Sequence, residues 1–197
     1  RILPLRKKSK SGQNNPENRR SHITGIGSWQ TLILERFLVR LSHSSYQDHF
    51  VLKGATLLSK YIEIGRETRD LDFSAKHFSN ELEKIKLALE QIAKIDLKDG
   101  FSFGEIQIGP LMHEHMDYTG AEAIIRAFFG KVRATVNIDI GFGDIVNPVR
   151  KSIALTRYSK GALFENSIEL SCYPKEFIFA EKLETLVYRK HTNSRMK

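Results

Sequence analysis

Two aspartates one residue apart, Asp70 and Asp72 in the segment DLDF, are the sequence feature with the plainest chemical use. In an extended strand residues i and i+2 share a face, so the two carboxylates project side by side while Leu71 and Phe73 turn to the core. Adjacent carboxylates repel unless a cation lies between them. Mg2+ (or Mn2+) prefers oxygen ligands and shares itself with substrate phosphates, which suits such a pair. Asp139 in VNIDIGF is the third candidate ligand, because its neighbours Ile138 and Ile140 belong in a core and an idle charge on that strand would be costly. A third carboxylate on a neighbouring strand completes a two-ion clamp, one ion serving the attacking oxygen and the other the leaving group.

Asp-x-Asp pairs also occur as plain turn chemistry, so context has to separate the two readings. The segment VLKGAT precedes the pair, and a glycine turn from strand to helix at Lys53, Gly54, Ala55 and Thr56 offers backbone N–H groups to a phosphate. Arg66 and Arg69, just ahead of the pair, serve either phosphate contact or charge neutralisation. Other candidates are weaker. His113, Glu114 and His115 match no zinc spacing, and the GFGD run from Gly141 to Asp144 lacks the full glycine-rich signature and reads as a turn leaving the Asp139 strand.

The elements that must carry these residues follow from periodicity. Helical spacing runs from Ser28, which is placed to cap it, through WQTLILERFLVRLS. A short strand at 49–53 leads through Gly54 into a helix over 54–62, and 69–74 alternates as a strand with one wet face. Residues 79–94 read as a capped amphipathic helix, and 101–109, 121–129 and 132–142 as strands extending one sheet. Residues 151–157 suit an edge strand, and Pro174 sits in the first turn of a last helix, EFIFAEKLETLVYRK. The expected class is therefore α/β (α+β), a mixed sheet with flanking helices. It divides into a basic leader at 1–20, a main domain at 21–160 and the start of a C-terminal helical region at 161–197.

Composition narrows the class further. With 41% hydrophobic and 27% charged residues over 197 positions, the chain can bury one sizeable core. No apolar run approaches the roughly 20 residues a membrane crossing needs, so no membrane role is expected. A single cysteine, Cys172, cannot form an internal disulfide, which suits a reducing, cytoplasmic setting. The net charge of +8 is uneven. Residues 1–20 hold seven basic residues against one acid, and 185–197 hold four against none, leaving a body at −2. Basic ends around an acidic body fit a metal-gathering site with flanks that attract a polyanion such as RNA, although a basic leader also serves plain solubility.

Taken together, FVLKGAT, GRETRDLDF, VNIDIGFGD and YPKEFIFAEKLETLVYRK with NSRMK resemble the AbiEii/AbiGii toxin family of bacterial nucleotidyltransferases over about residues 30–197. The resemblance implies a nucleotidyltransferase palm that moves a nucleoside monophosphate from an NTP to an acceptor. That acceptor is expected to be RNA, with tRNA the first candidate, and the chain to act as the toxin of a toxin–antitoxin or phage abortive-infection system, paired with an antitoxin. It also implies that Lys182 in AEKLE lies on the triphosphate. One departure stands out: Ala55 replaces the second Gly or Ser of the family's turn, which keeps the close approach but removes a hydroxyl. The family pattern continues past NSRMK with an aspartate that this sequence does not reach. Two alternatives stay open at this point, a palm acting on a small-molecule acceptor and an inactive nucleotide-binding remnant.

Overall fold

The computed structural model describes residues 25–62, 68–111, 120–156 and 164–189. The leader at 1–20, Arg66, the 113–115 triplet and the NSRMK segment lie outside the described residues. The elements run α1 (Gly25–Ser42), β1 (Phe50–Lys53), α2 (Gly54–Leu58), β2 (Asp70–Ala75), α3 (Leu82–Ala93), β3 (Phe101–Leu111), β4 (Gly120–Phe129), β5 (Val132–Gly141), β6 (Val149–Ala154), β7 (Ser167–Cys172) and α4 (Lys175–Arg189). The strands form one seven-stranded sheet in the order β3-β4-β5-β2-β1-β7-β6. Two pairings, β2 with β5 and β1 with β7, are parallel, and the other four are antiparallel. This is the mixed α/β architecture that the periodicity predicts.

Packing follows the alternation. In β5, Val136, Ile138 and Ile140 are buried while Asn137 and Asp139 are only partly covered, and in β4 Ala121, Ala123, Ile125 and Ala127 are buried between exposed residues. The apolar residues of α1 (Ile33, Leu34, Phe37, Leu38, Leu41) and of α3 (Ile85, Leu89, Ile92) join these strand residues in one core. α1 is so deeply set that even Arg36 and Arg40 are 1% exposed. A guanidinium can be buried only with partners. Asp99 supplies them, accepting from Arg36 Nε at 2.7 Å and from both terminal nitrogens of Arg40 at 2.9 Å, while Glu165 takes Arg36 Nη1. Burial by itself raises the Asp99 pKa, but Arg40, the Phe101 N–H and Arg36 outweigh it and hold the carboxyl at about 2.

Several boundaries differ from the sequence expectation. α1 begins at Gly25, so Ser28 lies inside the helix and is not its cap. α3 begins at Leu82, and Ser79 accepts the Glu81 N–H in the preceding turn without capping the helix. α2 ends at Leu58 and gives way to hydrogen-bonded turns through Ile62. The edge strand is 149–154, not 151–157, and β7 was not expected at all. β7 nevertheless carries a strand signature, with Ile168, Leu170 and Cys172 buried and Ser167 and Glu169 exposed. It places chain as far as Cys172 within the sheet, between β1 and β6. Among the described residues no helix is long and apolar enough to cross a membrane.

Candidate active site

The parallel pairing of β2 with β5 sets Asp72 directly opposite Asp139, and the antiparallel pairing of β1 with β2 sets Lys53 opposite Asp72. On the other flank Asp139 pairs with Glu122 of β4. Lys53, Asp72, Asp139 and Glu122 therefore form one row across four strands, on the face turned away from the packed alternates. Asp70 and Asn137 are opposite each other two residues further along, and the Asn137 amide donates to Asp70 Oδ1 at 3.0 Å. The three aspartates singled out in the sequence thus lie together, although Asp139 is 67 positions from Asp72 in the chain. Glu122 and Asn137 are additions that alternation marks as facing the same way, but only the strand register shows them to be neighbours.

The turn after β1 shapes this row. Gly54 has φ +67, in the left-handed region that favours glycine, and a Cβ there would overlap the Asp72 carboxylate. Absence of a side chain at 54 is what lets Asp72 lie against the turn and accept the Ala55 N–H. The Thr56 hydroxyl donates to the Asp70 carbonyl at 2.8 Å, fastening α2 to β2. α2 has only five residues, so its dipole adds little, and the Ala55 N–H is already directed at a carboxylate.

Electrostatics single out Asp72. Its pKa is raised to about 6, first by burial and then by the Asp139 charge, with the Ala55 N–H and Lys53 pulling the other way. Lys53 is held by a second layer. Its ammonium lies 3.0 Å from Asp144 Oδ2 and 3.3 Å from Glu181 Oε1, and 5.3 Å from the centroid of the Tyr173 ring. Burial lowers the Lys53 pKa, but Glu181 and Asp144 outweigh it and the net shift is upward. Asp144 also accepts the Tyr173 hydroxyl, and its backbone carbonyl accepts the Lys76 ammonium. The GFGD run is the irregular segment that leaves the end of β5, and its last residue folds back to grip Lys53. No local pattern marks the roles of Asp144, Tyr173 and Glu181, since each arrives from a different part of the fold.

Two predicted residues stand less centrally. Lys182 is exposed on α4, adjacent in sequence to Glu181, and Arg69 is exposed just before β2. Cys172 is buried and its thiol is pushed up to about 12 by that burial, so it has no nucleophilic character. Among the described residues no three acidic, histidine or cysteine side chains converge into a ready-made ion cage. The arrangement resembles the way Mg2+ is commonly held, by one or two carboxylates, several waters and the substrate's own phosphates. An all-oxygen donor set with one carboxyl raised by burial and then by a like charge fits that ion.

The sequence model of a family described as "Nucleotidyl transferase AbiEii toxin, Type IV TA system" matches residues 36–197. No curated protein matches the chain. Two crystal structures are similar at 20% identity and a TM-score of 0.47, that of a candidate nucleotidyltransferase from H. pylori and that of JHP933 from Helicobacter pylori. The alignments cover 82% and 81% of this chain, and it spans 59% and 57% of the length of those two proteins.

Proposed function

The chain belongs to the AbiEii family of nucleotidyl transferase toxins of type IV toxin–antitoxin systems, and from that premise we propose that it transfers a nucleoside monophosphate from an NTP to RNA, with tRNA the first candidate. The observation that carries the proposal is the register of Asp72 beside Asp139, with Asp70 two residues along and Gly54 leaving room for the Asp72 carboxylate.

In this reading an acceptor hydroxyl oxygen attacks the α-phosphorus, the bond to the bridging oxygen of the β-phosphate breaks, and pyrophosphate leaves. A bound divalent ion would offset the negative charge that builds on the phosphates. Asp70, Asp72 and Asp139 are the residues that would hold it. Asn137 fixes the orientation of Asp70, and the Ala55 N–H fixes that of Asp72. Lys53, kept charged and stationary by Asp144 and Glu181, places a cation next to the carboxylates on the side of the glycine turn. Lys182, one residue from Glu181 on α4, would steady the triphosphate, and Arg69, exposed next to Asp70 in the chain, would contact a phosphate. The biological counterpart is growth inhibition in the cytoplasm, relieved by a cognate antitoxin.

The direct test incubates the protein with labelled NTPs, Mg2+ and total tRNA. Label should enter RNA with wild type and fall at least a hundredfold with Asp72→Ala, the scale expected when transition-state charge stabilisation is removed. Equal incorporation by the two proteins would sink the proposal.

A further inference from the structure

The geometry points to the exposed face of β3, β4 and β5 as a track along which a single-stranded RNA acceptor reaches the carboxylates; this rests on the RNA-acceptor reading above and goes beyond it by naming the surface. That face starts at the acidic row and turns basic away from it. On β4, Glu122 beside Asp139 is followed at successive same-face positions by Ile124, Arg126 and Phe128. On β5, Asp139 and Asn137 are followed by Thr135 and Arg133. Register places Arg126 opposite Thr135 and Phe128 opposite Arg133, so the two arginines are diagonal neighbours.

Three observations choose an RNA strand as occupant. First, charge is graded: carboxylates at one end and guanidinium groups at the other, with Lys131 exposed at the β4–β5 turn. From Asp139 the strand runs roughly 13 Å to Thr135 and about 20 Å to Arg133, at near 3.3 Å per residue, a length suited to a few unpaired nucleotides. Phosphates would be held at the basic end and repelled at the acidic end, except where a cation receives the terminal hydroxyl.

Second, the cations alternate with apolar groups that a base can cover. Ile124 is 43% exposed in mid-face, and the Phe128 ring projects over Gly104 of β3, where a Cβ would come within 3.0 Å of it. Stacking on such groups holds bases without regard to sequence. Third, the ion pair that Arg126 makes within the described residues is loose. Glu105 lies 3.5 Å away, and both side chains are more than half exposed, so a phosphate can replace the carboxylate at little cost.

The test uses the full chain, with a fluorescent single-stranded RNA in Mg2+ without NTP for binding, and the transfer assay for KM. Arg126→Glu with Arg133→Glu should weaken RNA binding on the order of tenfold or more and reduce the slope against log salt by about 2. The KM for NTP should stay within about twofold, since uniform binding of the acceptor alone is lost. Lys84→Glu with Lys94→Glu on and beside α3 is the matched control and should change neither. Glu105→Gln should tighten RNA binding a few fold, a gain that damage to the fold would not produce. If the double glutamate variant melts early, Arg126→Gln with Arg133→Gln gives the same readout. Wild-type transfer to RNA with RNA binding and the KM for RNA unchanged in the arginine variants, or equal loss in the control, would refute the track and leave the activity standing. No transfer to any RNA by wild type would refute both.

Discussion

At the residue scale, the site depends on one missing side chain and one perturbed carboxyl. Gly54→Ala forces a β-carbon into the Asp72 carboxylate and asks a non-glycine residue to hold a positive φ. The strain costs about 1–3 kcal/mol, and activity should fall far more than the melting temperature, because Asp72 must move to relieve it. Asp72 gives a prediction of opposite sign. Its folded-state pKa, about 6, lies above the ordinary aspartate value of 3.8, so the folded protein holds its proton more tightly than the unfolded chain does. That benefit is complete at low pH and disappears as pH rises through about 6, leaving a metal-free neutral protein destabilised on the order of 3 kcal/mol. Asp72→Asn should therefore raise the melting temperature at pH 7 in chelator while removing the Mg2+-dependent gain expected of wild type. A variant that melts lower than wild type in chelator would contradict this account.

At the element scale, the deepest ionic cluster fastens α1 to the loop before β3. Asp99 accepts from both Arg36 and Arg40, and all three side chains are nearly inaccessible. Asp99→Ala leaves two buried guanidinium groups short of partners, and unfolding in urea should show a loss of about 3–5 kcal/mol. Because the Asp99 carboxyl is held at about 2, below its unfolded value, its contribution is present above about pH 4 and is lost as acid takes the pH down through 2. The same helix shows what the sequence did and did not disclose. Long apolar periodicity made α1, α3 and the β2 and β5 alternations readable, and with them Asp70, Asp72 and Asp139. Nothing local to Arg36 and Arg40 announces that Asp99, about 60 positions away, will meet them. The same is true of Lys53: its type was noticed beside Gly54, but its partners arrive on the β5 turn and on α4. β7 is hard to read because six residues of alternation give a weak signal beside the helix that follows.

At the scale of the whole molecule, the sheet order places β1 between β2 and β7, so the strand that leads into the Gly54 turn is paired on both sides. A chain ended at residue 160 would leave the outer edge of β1 open and lose the buried Ile168, Leu170 and Cys172. Such a fragment should lack a cooperative thermal transition by circular dichroism, whereas a sharp transition like that of the full chain would show β7 to be dispensable. The order in which a ribosome delivers these strands has its own consequence. Asp70 and Asp72 emerge early, their parallel neighbour β5 follows only after the long β3–β4 arm, and β7 comes last. Long-range pairings of this kind form late. The carboxylate row therefore assembles late: Asp72 waits for Asp139 until β5 has been made, and the turn beside it is flanked on both sides only once β7 has followed.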